Sequence, residues 1–429
     1  MKSILKLKES KHYKWAVVAA AFVMVFTCLG FCSSTKGLYL DAITDALGIK
    51  RSLFSINDSC RFITTAVVNL FFGVLVQKFG PRKMVAAGFL ALIGSALVYS
   101  VAEHIFQFYM GGMLLGLGLS WTTTTMVGYI VERWCKEHKG TIMGAVLAAN
   151  GLGGALGVSI MSPLIHNEAN AFGYRDAYRL TALILLVVGI AVVLVFRDRT
   201  ANDAPPAAKG KPKRGESWSG ISFKEALRKP YFYVLAACVF FTGMSLQSVV
   251  GVGSAHLRDV GFDDGFVDLV LCVHSLTLAA SKFLSGFSYD RLGLKKTLAI
   301  CNVSAILMVL LLAMVKVGPI GSTMALIYGV LSSAALPLET IMIPLITSDM
   351  FGKKDYAKIL GILVSVNTAG YAVGVPVANV CFDAFGTYCP ALFATSGLML
   401  LVLIVYQFVF RAADRQRQAV RSAEAELAE

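Results

Sequence analysis

The chain has 429 residues, of which 56% are hydrophobic and only 15% are charged, and its mean hydropathy is +0.69. Soluble domains carry about 25% charged residues, so this composition excludes an ordinary soluble protein. A membrane helix needs roughly 20 apolar residues, and twelve stretches meet that length without the short alternation of membrane β-strands. The predicted helices lie, in chain order, at 15–43, 52–77, 82–101, 105–131, 140–165, 176–196, 231–257, 265–289, 295–315, 319–349, 356–382 and 388–410. The fold class is therefore an all-α polytopic membrane protein with twelve transmembrane helices.

The formal net charge of +13 is distributed unevenly along the chain. Lysine and arginine gather at the N-terminus, in the loops after the second, fourth, eighth and tenth helices, and in the C-terminal tail, whereas the other loops are poorer in cations. Cationic loops stay on the cytoplasmic side of a membrane. We therefore expect a multi-pass protein of the cytoplasmic (plasma) membrane with both termini cytoplasmic, and we attribute the charge to this asymmetry and not to nucleic-acid binding. The first helix is too long for a cleavable signal peptide.

One long polar stretch, 197–230, separates six predicted helices from the other six. Its Pro-, Gly- and Lys-rich first part is typical of a flexible linker. Ser222 and Glu225 have the spacing of a capping box, which predicts a short surface helix ending at Pro230. The predicted organisation is a bundle at 1–196, a cytoplasmic linker at 197–230, a second bundle at 231–410 and a cytoplasmic tail at 411–429.

The two halves repeat each other. GVLVQKFGPRK at 73–83 matches GFSYDRLGLKK at 286–296, an offset of 213 residues. Five further residues of the first half have the same residue type at a similar offset in the second half. Gly30, Gly144, Asn150, Gly153 and Gly157 correspond to Gly243, Gly361, Asn367, Gly370 and Gly374. Self-similarity of this kind predicts duplicated, pseudo-symmetric bundles.

The repeated loop resembles the G-x-x-x-D-R-x-G-R-K motif of the major facilitator superfamily, found after the second and eighth helices. Its residues are Gly73, Gln77, Gly80 and Arg82 in the first copy, and Gly286, Asp290, Arg291 and Gly293 in the second. The resemblance covers nearly the whole chain. It implies a gating role for both loops, two six-helix bundles, a site near the membrane midplane and alternating access. Gln77 replaces the acid of the motif, which implies a weaker latch in the first half.

Ionisable residues inside predicted helices cost roughly 2.5–3.5 kcal/mol each at a helix centre and tend to mark transport pathways. Six are present: Lys36, Asp58, Arg61, His274, Lys282 and Glu339. Lys282 either pairs with an acid such as Glu339 or contacts substrate. Asp58 and Arg61 are three residues apart, so they share a helix face and either satisfy each other or open to bind a carboxylate. Lys36 lies either in the site or near the outer surface, if the first helix ends early.

The offset of 213 residues relates Arg61 to His274 and Lys282 to Asn69. Polar positions therefore recur on the second and eighth helices, but the cations do not. We expect such an arrangement around one asymmetric substrate held between two similar walls.

Lys36 after an apolar first helix resembles the first-helix lysine of monocarboxylate transporters. Lys282, four residues before Gly286, resembles their eighth-helix arginine, which oxalate–formate exchangers share. By this resemblance Lys36 and Lys282 bind the carboxylate of a small organic anion, with a point-charge ammonium at 282 in place of a planar guanidinium. The proton-coupling Asp of those transporters falls at Leu278, and the second lysine of the exchangers falls at Asn367. Because both residues are absent, either Asp58 or Glu339 takes over the coupling role, or the protein exchanges its substrate against a counter-anion.

Weaker candidates complete the predicted site. Wall residues are Tyr39, Trp121, Gln247, Tyr328 and Asn367. The threonines of WTTTTMVGY at 121–129 either line the cavity or bond carbonyls of their own helix. Pro337 is expected to bend the tenth helix.

The leading hypothesis is a secondary active transporter for a small mono- or dicarboxylate, acting as symporter or exchanger. Protons or a counter-anion would drive it, and it would work as a monomer in the lipid bilayer. Efflux of amphipathic compounds and a transporter-like membrane sensor remain alternatives. The chain has no Walker A, no HExxH and no nucleophile set, so we expect neither an enzyme nor a bound cofactor or metal.

Overall fold

The computed structural model describes residues 13–49, 51–135, 137–165, 170, 172–196 and 220–426. Within them, twelve helices are long and apolar enough to cross a membrane, which confirms the predicted number. In chain order they are α1 Tyr13–Ser34, α2 Arg51–Phe79, α3 Pro81–Val101, α4 Ile105–Trp134, α5 Lys139–Ile165, α6 Gly173–Val195, α7 Pro230–Val260, α8 Asp264–Leu292, α9 Leu294–Met314, α10 Pro319–Phe351, α11 Tyr356–Phe385 and α12 Cys389–Glu426. Two shorter helices, Gly37–Leu47 and Phe223–Leu227, follow α1 and precede α7.

The described residues divide into two compact units on either side of residue 198, with six spans in each. In unit 1, α1 packs on α5 and α6, α4 packs on α2 and α3, and α3 packs on α6. In unit 2, α7 packs on α11 and α12, α10 packs on α8 and α9, and α9 packs on α12. The contacts of each helix thus recur six helices later, so the two bundles are pseudo-symmetric. The first part of the predicted linker, 197–219, lies outside the described residues.

The matched glycines bring helix backbones into contact. A Cβ added to Gly153 in α5 would lie 2.0 Å from the carbonyl oxygen of Phe26 in α1. In unit 2, a Cβ on Gly374 in α11 would lie 2.3 Å from the carbonyl oxygen of Met244 in α7. Real Cβ atoms do not approach so closely, so only glycine permits these helices to pack as they do.

Three spans depart from regular α-helix, α4 and α10 inside the span and α1 at its end. A π-helical segment, Gly30–Ser34, ends α1, and another, Leu338–Met342, lies inside α10 directly after Pro337. In α4, regular helix stops at Thr122 and resumes at Thr124, because Thr123 has φ −127° and ψ −137°. Proline lacks the N–H that would continue the helical ladder, which explains the irregular turn after Pro337, and the bend of α10 stays a prediction. Such irregular turns frequently occur at functional positions.

The first predicted helix, 15–43, is wrong in its extent. Regular structure ends at Ser34, a turn holds Thr35 and Lys36, and a new helix begins at Gly37. The Thr35 hydroxyl donates to the carbonyl oxygen of Phe31 at 2.6 Å, and such local bonds compete with the helical ladder.

The predicted surface helix before α7 is confirmed. It spans Phe223–Leu227, and the Ser222 hydroxyl and the Glu225 carboxylate cap it reciprocally. At the other end of the chain, α12 continues as helix through the predicted tail to Glu426. This extension is rich in Ala, Arg, Gln and Glu, which are strong helix formers.

Candidate functional site

A cluster of three charges lies in unit 1, where α2 passes the turn after α1. Asp58 forms ion pairs with both Lys36 and Arg61, and the Arg61 Nε–Asp58 Oδ1 distance is 3.2 Å. The Arg61 Nη1 group also donates to the Ser33 hydroxyl, in the π-helical segment of α1, at 3.3 Å. The predicted Asp58–Arg61 pair is therefore present, and Lys36 joins it. Among the described residues these ion pairs join two cations and one carboxylate, and Arg61 makes a further interaction beyond them.

Access to this cluster is uneven. The Asp58 side chain is 38% exposed, whereas the Lys36 and Arg61 side chains are 25% and 14% exposed. The carboxylate is thus the most accessible member of a group that is otherwise packed into the unit.

Behind Lys36 lies a cavity of about 30 Å³, which is room for one or two water molecules and too little for an organic substrate. Its polar wall includes Tyr39, whose ring stacks on Tyr178 at 4.2 Å between centroids. The Tyr39 hydroxyl lies beside Thr181 without an ordinary hydrogen bond. The Tyr99 hydroxyl donates to Asn57 Oδ1 at 3.0 Å in the same wall. The cavity lining is mostly apolar, and the side chains of Tyr39, Asn57 and Tyr99 place a few polar groups in it.

Asn69 spans the break in α4. Its Oδ1 atom accepts hydrogen bonds from the hydroxyls of Ser120 at 2.8 Å and Thr125 at 3.1 Å, one on each side of Thr123. Thr122 and Thr123 donate to carbonyls of their own helix, at Gly118 and Leu119, as predicted for part of this threonine run. One side chain of α2 therefore holds both segments of α4.

In unit 2, Lys282 is 4% exposed and lies on α8, which packs on α10. Among the described residues its ammonium forms no ion pair and no hydrogen bond. Glu339, in the π-helical segment of α10, acts on Lys282 electrostatically but from beyond ion-pair distance. The predicted direct pairing of these two residues is not formed. A buried ammonium without a partner is energetically unfavourable, so this position is suited to receive an anion.

Glu339 has a partner of its own. Tyr371 of α11 donates its hydroxyl hydrogen to Glu339 Oε2 at 3.0 Å, while Oε1 is buried without a hydrogen bond. His274 lies about two helical turns before Lys282. Its Nδ1 atom is 2.6 Å from the Ser332 hydroxyl of α10. The Ser333 hydroxyl donates to Thr277 at 2.8 Å and lies 3.1 Å from that of Ser281. The α8–α10 contact is therefore lined with polar groups around Lys282.

The remaining predicted wall residues differ in their surroundings. Trp121 Nε1 is buried without a hydrogen bond, and Gln247 is half-buried. The Tyr328 hydroxyl lies against Gly253, where an added Cβ would approach it to 2.2 Å. Asn367 Nδ2 donates to the carbonyl oxygen of Val239 at 3.1 Å, which ties α11 to α7. Tyr328 and Asn367 thus serve helix packing, and their role in binding stays a prediction.

The two repeated loops have the same backbone form. Gly80 has φ +78° and Gly293 has φ +80°, values that favour glycine. Arg82 Nε donates to the carbonyl oxygen of Val193 at 2.9 Å, and the Arg291 guanidinium lies over the Phe287 ring. Gly73 and Gly286 are buried, Gln77 is exposed and Asp290 is half-buried. The matched conformation supports the repeat, and the gating role stays a prediction.

Several site residues were missed from the sequence. Ser33, Asn57, Tyr99 and Tyr178 are ordinary helix residues whose part depends on tertiary packing. Tyr371 gave no signal either. The sequence repeat identified Asn69 as the position equivalent to Lys282. It did not predict the hydrogen bonds of Asn69 to both sides of the break in α4. The described residues contain no group of three or more His, Cys, Asp or Glu that could hold a metal ion.

Two duplicated six-helix units, with charged side chains in or beside their spans, have the architecture of a polytopic helical transporter. The chain belongs to the Major Facilitator Superfamily, whose family model matches residues 20–263 and 235–429. Members of this family are transporters and not enzymes, which settles the class of the protein.

Relatives span most of the chain at low identity. The uncharacterized MFS-type transporter YcxA of Bacillus subtilis (strain 168) is 24% identical over 94% of both chains. The agnestins efflux protein AgnL12 of Paecilomyces divaricatus is 22% identical, over 92% of this chain and 86% of its own. Monocarboxylate transporter 12-B of Danio rerio is 24% identical, over 74% of this chain and 70% of its own.

The fold also matches solved structures. The E. coli fucose:proton symporter FucP superposes with a TM-score of 0.71 at 14% identity, covering 91% of this chain and 98% of that one. At this identity the match shows the fold alone.

Proposed function

We propose that this protein is a secondary active transporter that moves a small organic anion, a mono- or dicarboxylate, across the cytoplasmic membrane by alternating access. The observation that carries the proposal is Lys282, a buried ammonium with no ion pair or hydrogen bond among the described residues. A cation kept there at a cost of roughly 2.5–3.5 kcal/mol needs a compensating function, and binding an anion provides one. The similarity to a monocarboxylate transporter supports the same class of solute.

The unit 1 cluster adds a second point of attraction. Lys36 and Arg61 exceed Asp58 by one positive charge, and Arg61 has the planar donor fork that matches a carboxylate. Lys282 in unit 2 contributes a compact point charge. Tyr39, Trp121, Gln247 and His274 are retained as candidate wall residues, and Asp58 and Glu339 as candidate coupling residues.

The proposal also covers orientation and assembly. The cationic loops and termini support a topology with both ends of the chain in the cytoplasm. The two units repeat one complete helix pattern, so we propose that a single chain suffices for transport.

The experiment is a thermal-shift series on the purified chain. The ligands are lactate, oxalate, succinate and benzoate, with xylose and tetraphenylphosphonium as neutral and cationic comparisons. A ligand that binds only the folded state adds about 2.7 kcal/mol at one hundred times its Kd, so the Tm rises with concentration. We expect stabilisation by at least one carboxylate in the wild type.

Two variants make the test specific. Lys282→Ala removes the buried ammonium and is expected to abolish the carboxylate-dependent shift. Lys316→Ala removes an exposed lysine of unit 2 and is expected to leave it intact. Stabilisation by tetraphenylphosphonium alone would support efflux of amphipathic cations, the activity class suggested by similarity to an efflux protein, and would reject the carboxylate.

A further inference from the structure

The short helix before α7 is held against the end of α10, and this contact brings two groups of cations together. The N–H of Ile221 donates to the carbonyl oxygen of Phe351 at 3.0 Å, and the N–H of Phe223 donates to Asp355 Oδ2 at 2.8 Å. The Ile221 side chain is only 4% exposed. These contacts give the five-residue helix Phe223–Leu227 a defined position on unit 2.

The docked helix presents cations beside those of the loop between α10 and α11. Five exposed side chains form this group, which we call the cationic platform: Lys224, Arg228, Lys229, Lys353 and Lys354. Lys354 of the loop and Lys229 of the helix end both act electrostatically on the Glu225 carboxylate, so cations of both segments lie in one neighbourhood. The platform therefore depends on the docking of the helix as well as on the sequence.

Two acids lie beside the platform, and both are engaged in other contacts. Glu225 Oε2 accepts hydrogen bonds from the N–H of Ser222 at 2.6 Å and from its hydroxyl at 2.7 Å. Chiefly these bonds, and then two platform lysines, hold the pKa of Glu225 below its ordinary value. Asp355 pairs with Lys358 at 3.3 Å. Five cations beside one exposed acid leave this face with an excess of positive charge.

The platform lies where α7 enters the membrane. Near the start of α7, Tyr233 and Val234 are 59% and 42% exposed, as expected of side chains that face lipid. Tyrosine at the end of a membrane helix is typical of the headgroup level. Arg228 and Lys229 directly precede α7, and the two loop lysines of the platform follow the end of α10. We therefore expect the platform at the height of the lipid phosphate groups.

We propose that the cationic platform binds the headgroups of anionic phospholipids, and that docking of the helix Phe223–Leu227 assembles it. Clusters of four or more lysines and arginines beside a membrane helix attract anionic lipid, by about fivefold in affinity for each cation. The bound lipid in turn stabilises the docked helix. The leaflet is the cytoplasmic one in the proposed topology, but binding of the lipid depends neither on that topology nor on the transported solute.

The test titrates dioleoylphosphatidylglycerol into the purified full chain in detergent and follows the Tm. Dioleoylphosphatidylcholine and inorganic phosphate at the same concentrations are the comparisons. The Tm is expected to rise with phosphatidylglycerol, to rise less in 0.5 M salt because exposed charges are screened, and to stay constant with the two comparisons. Equal stabilisation by phosphatidylcholine or by inorganic phosphate would reject a site for anionic lipid.

Two matched double variants locate the site. Lys229→Gln with Lys354→Gln removes one cation from each segment of the platform and should weaken the apparent affinity for phosphatidylglycerol about 25-fold. Lys78→Gln with Lys83→Gln removes two exposed lysines where α2 ends and α3 begins, and should leave this affinity unchanged. Equal losses in both double variants would show that the lipid responds to overall charge, and would overturn the proposal.

Asp355→Ala distinguishes an assembled platform from simple attraction between charges. The substitution removes the acceptor of the Phe223 N–H and raises the net positive charge by one. Simple attraction predicts tighter binding of phosphatidylglycerol, whereas an assembled platform predicts weaker binding and faster hydrogen exchange at residues 221–227. Binding as tight as in the wild type, or tighter, would contradict the assembled platform.

A measurement on the wild type covers the case in which Asp355→Ala does not fold. Hydrogen exchange at residues 221–227 is compared in nanodiscs of phosphatidylcholine with and without phosphatidylglycerol. The anionic lipid should slow the exchange, because it binds the docked helix. Exchange that is unchanged by phosphatidylglycerol would overturn the proposal.

Discussion

At the residue scale, two buried lysines differ in whether an acidic side chain compensates the charge of the ammonium. Lys139 in unit 1 pairs with the Glu132 carboxylate at 2.6 Å, and both side chains are at most 14% exposed. Lys282 in unit 2 is at least as buried and forms no such pair among the described residues. A paired charge belongs to the folded structure, whereas an isolated one is retained at the expense of stability. This contrast supports the proposal that Lys282 binds substrate.

This contrast predicts opposite effects of the same substitution. Lys282→Met removes an uncompensated ammonium, so it should raise the free energy of unfolding without ligand by about 1–3 kcal/mol and abolish carboxylate binding. Lys139→Met leaves Glu132 without the ammonium that it contacts, so it should destabilise the chain by about 3 kcal/mol or more. Thermal unfolding in detergent, with and without carboxylate, measures both. A ligand-free Tm that falls in Lys282→Met would show that the lysine stabilises the fold.

At the element scale, the interruptions of α4 and α10 lie at related positions of the repeat and are supported differently. Asn69 of α2 bonds to both sides of the break in α4 through neutral groups. Its counterpart in the repeat, Lys282 of α8, lies on the helix that packs on α10, whose π-helical segment holds Glu339. The Asn69 bridge is neutral and does not depend on ligand charge, whereas Lys282 is charged and forms no bond to α10 among the described residues. We therefore expect α10 to respond to an anion more than α4.

Replacing Asn69 by leucine tests the neutral bridge. The hydroxyls of Ser120 and Thr125 lose their shared acceptor, so the free energy of unfolding should fall by about 1–3 kcal/mol. Amide exchange should also rise around Thr123. Asn302 of α9 is the matched control, because it is fully buried and both its side-chain polar atoms lack hydrogen bonds. Asn302→Leu should be neutral or stabilising, and equal losses in both variants would contradict the bridge.

The short helix before α7 docks on the loop between α10 and α11. Asp355 Oδ2 accepts the N–H of Phe223 at 2.8 Å, and the N–H of Ile221 donates to the carbonyl oxygen of Phe351. Partial burial alone would raise the pKa of Asp355, but the Phe223 N–H and Lys358 together hold it below its ordinary value. A depressed pKa means that ionised Asp355 stabilises the docked helix.

This docking should depend on pH in a defined direction. The stabilisation is fully present above the pKa of unfolded aspartate, about 3.9, and is lost as pH falls through the lower pKa of the folded state. Hydrogen exchange at residues 221–227 should therefore increase in acid and, at neutral pH, in Asp355→Asn. Asp383→Asn, which removes an exposed carboxylate, should leave this exchange unchanged. Unaltered protection in Asp355→Asn would show that the aspartate does not hold the helix.

At the scale of the whole molecule, the fold was predictable because its signals are local or repeated. Twelve apolar stretches and the matched glycines determine which helices exist and which backbones touch. The sequence left open whether the first helix ends early near Lys36, because the break depends on a side-chain bond that composition does not reveal. For the site, the ionisable residues were identified because charge is rare in membrane helices. Their partners, such as Tyr371 and Ser33, are common polar residues that only packing brings to them.

The most direct test of the central claim is uptake of radiolabelled mono- and dicarboxylates into proteoliposomes driven by a proton gradient, comparing the wild type with Lys282→Ala and Lys316→Ala. We expect at least one carboxylate to accumulate with the wild type and with Lys316→Ala, and we expect Lys282→Ala to abolish this accumulation. Undiminished carboxylate uptake by Lys282→Ala, or movement of only neutral or cationic solutes by the wild type, would contradict it.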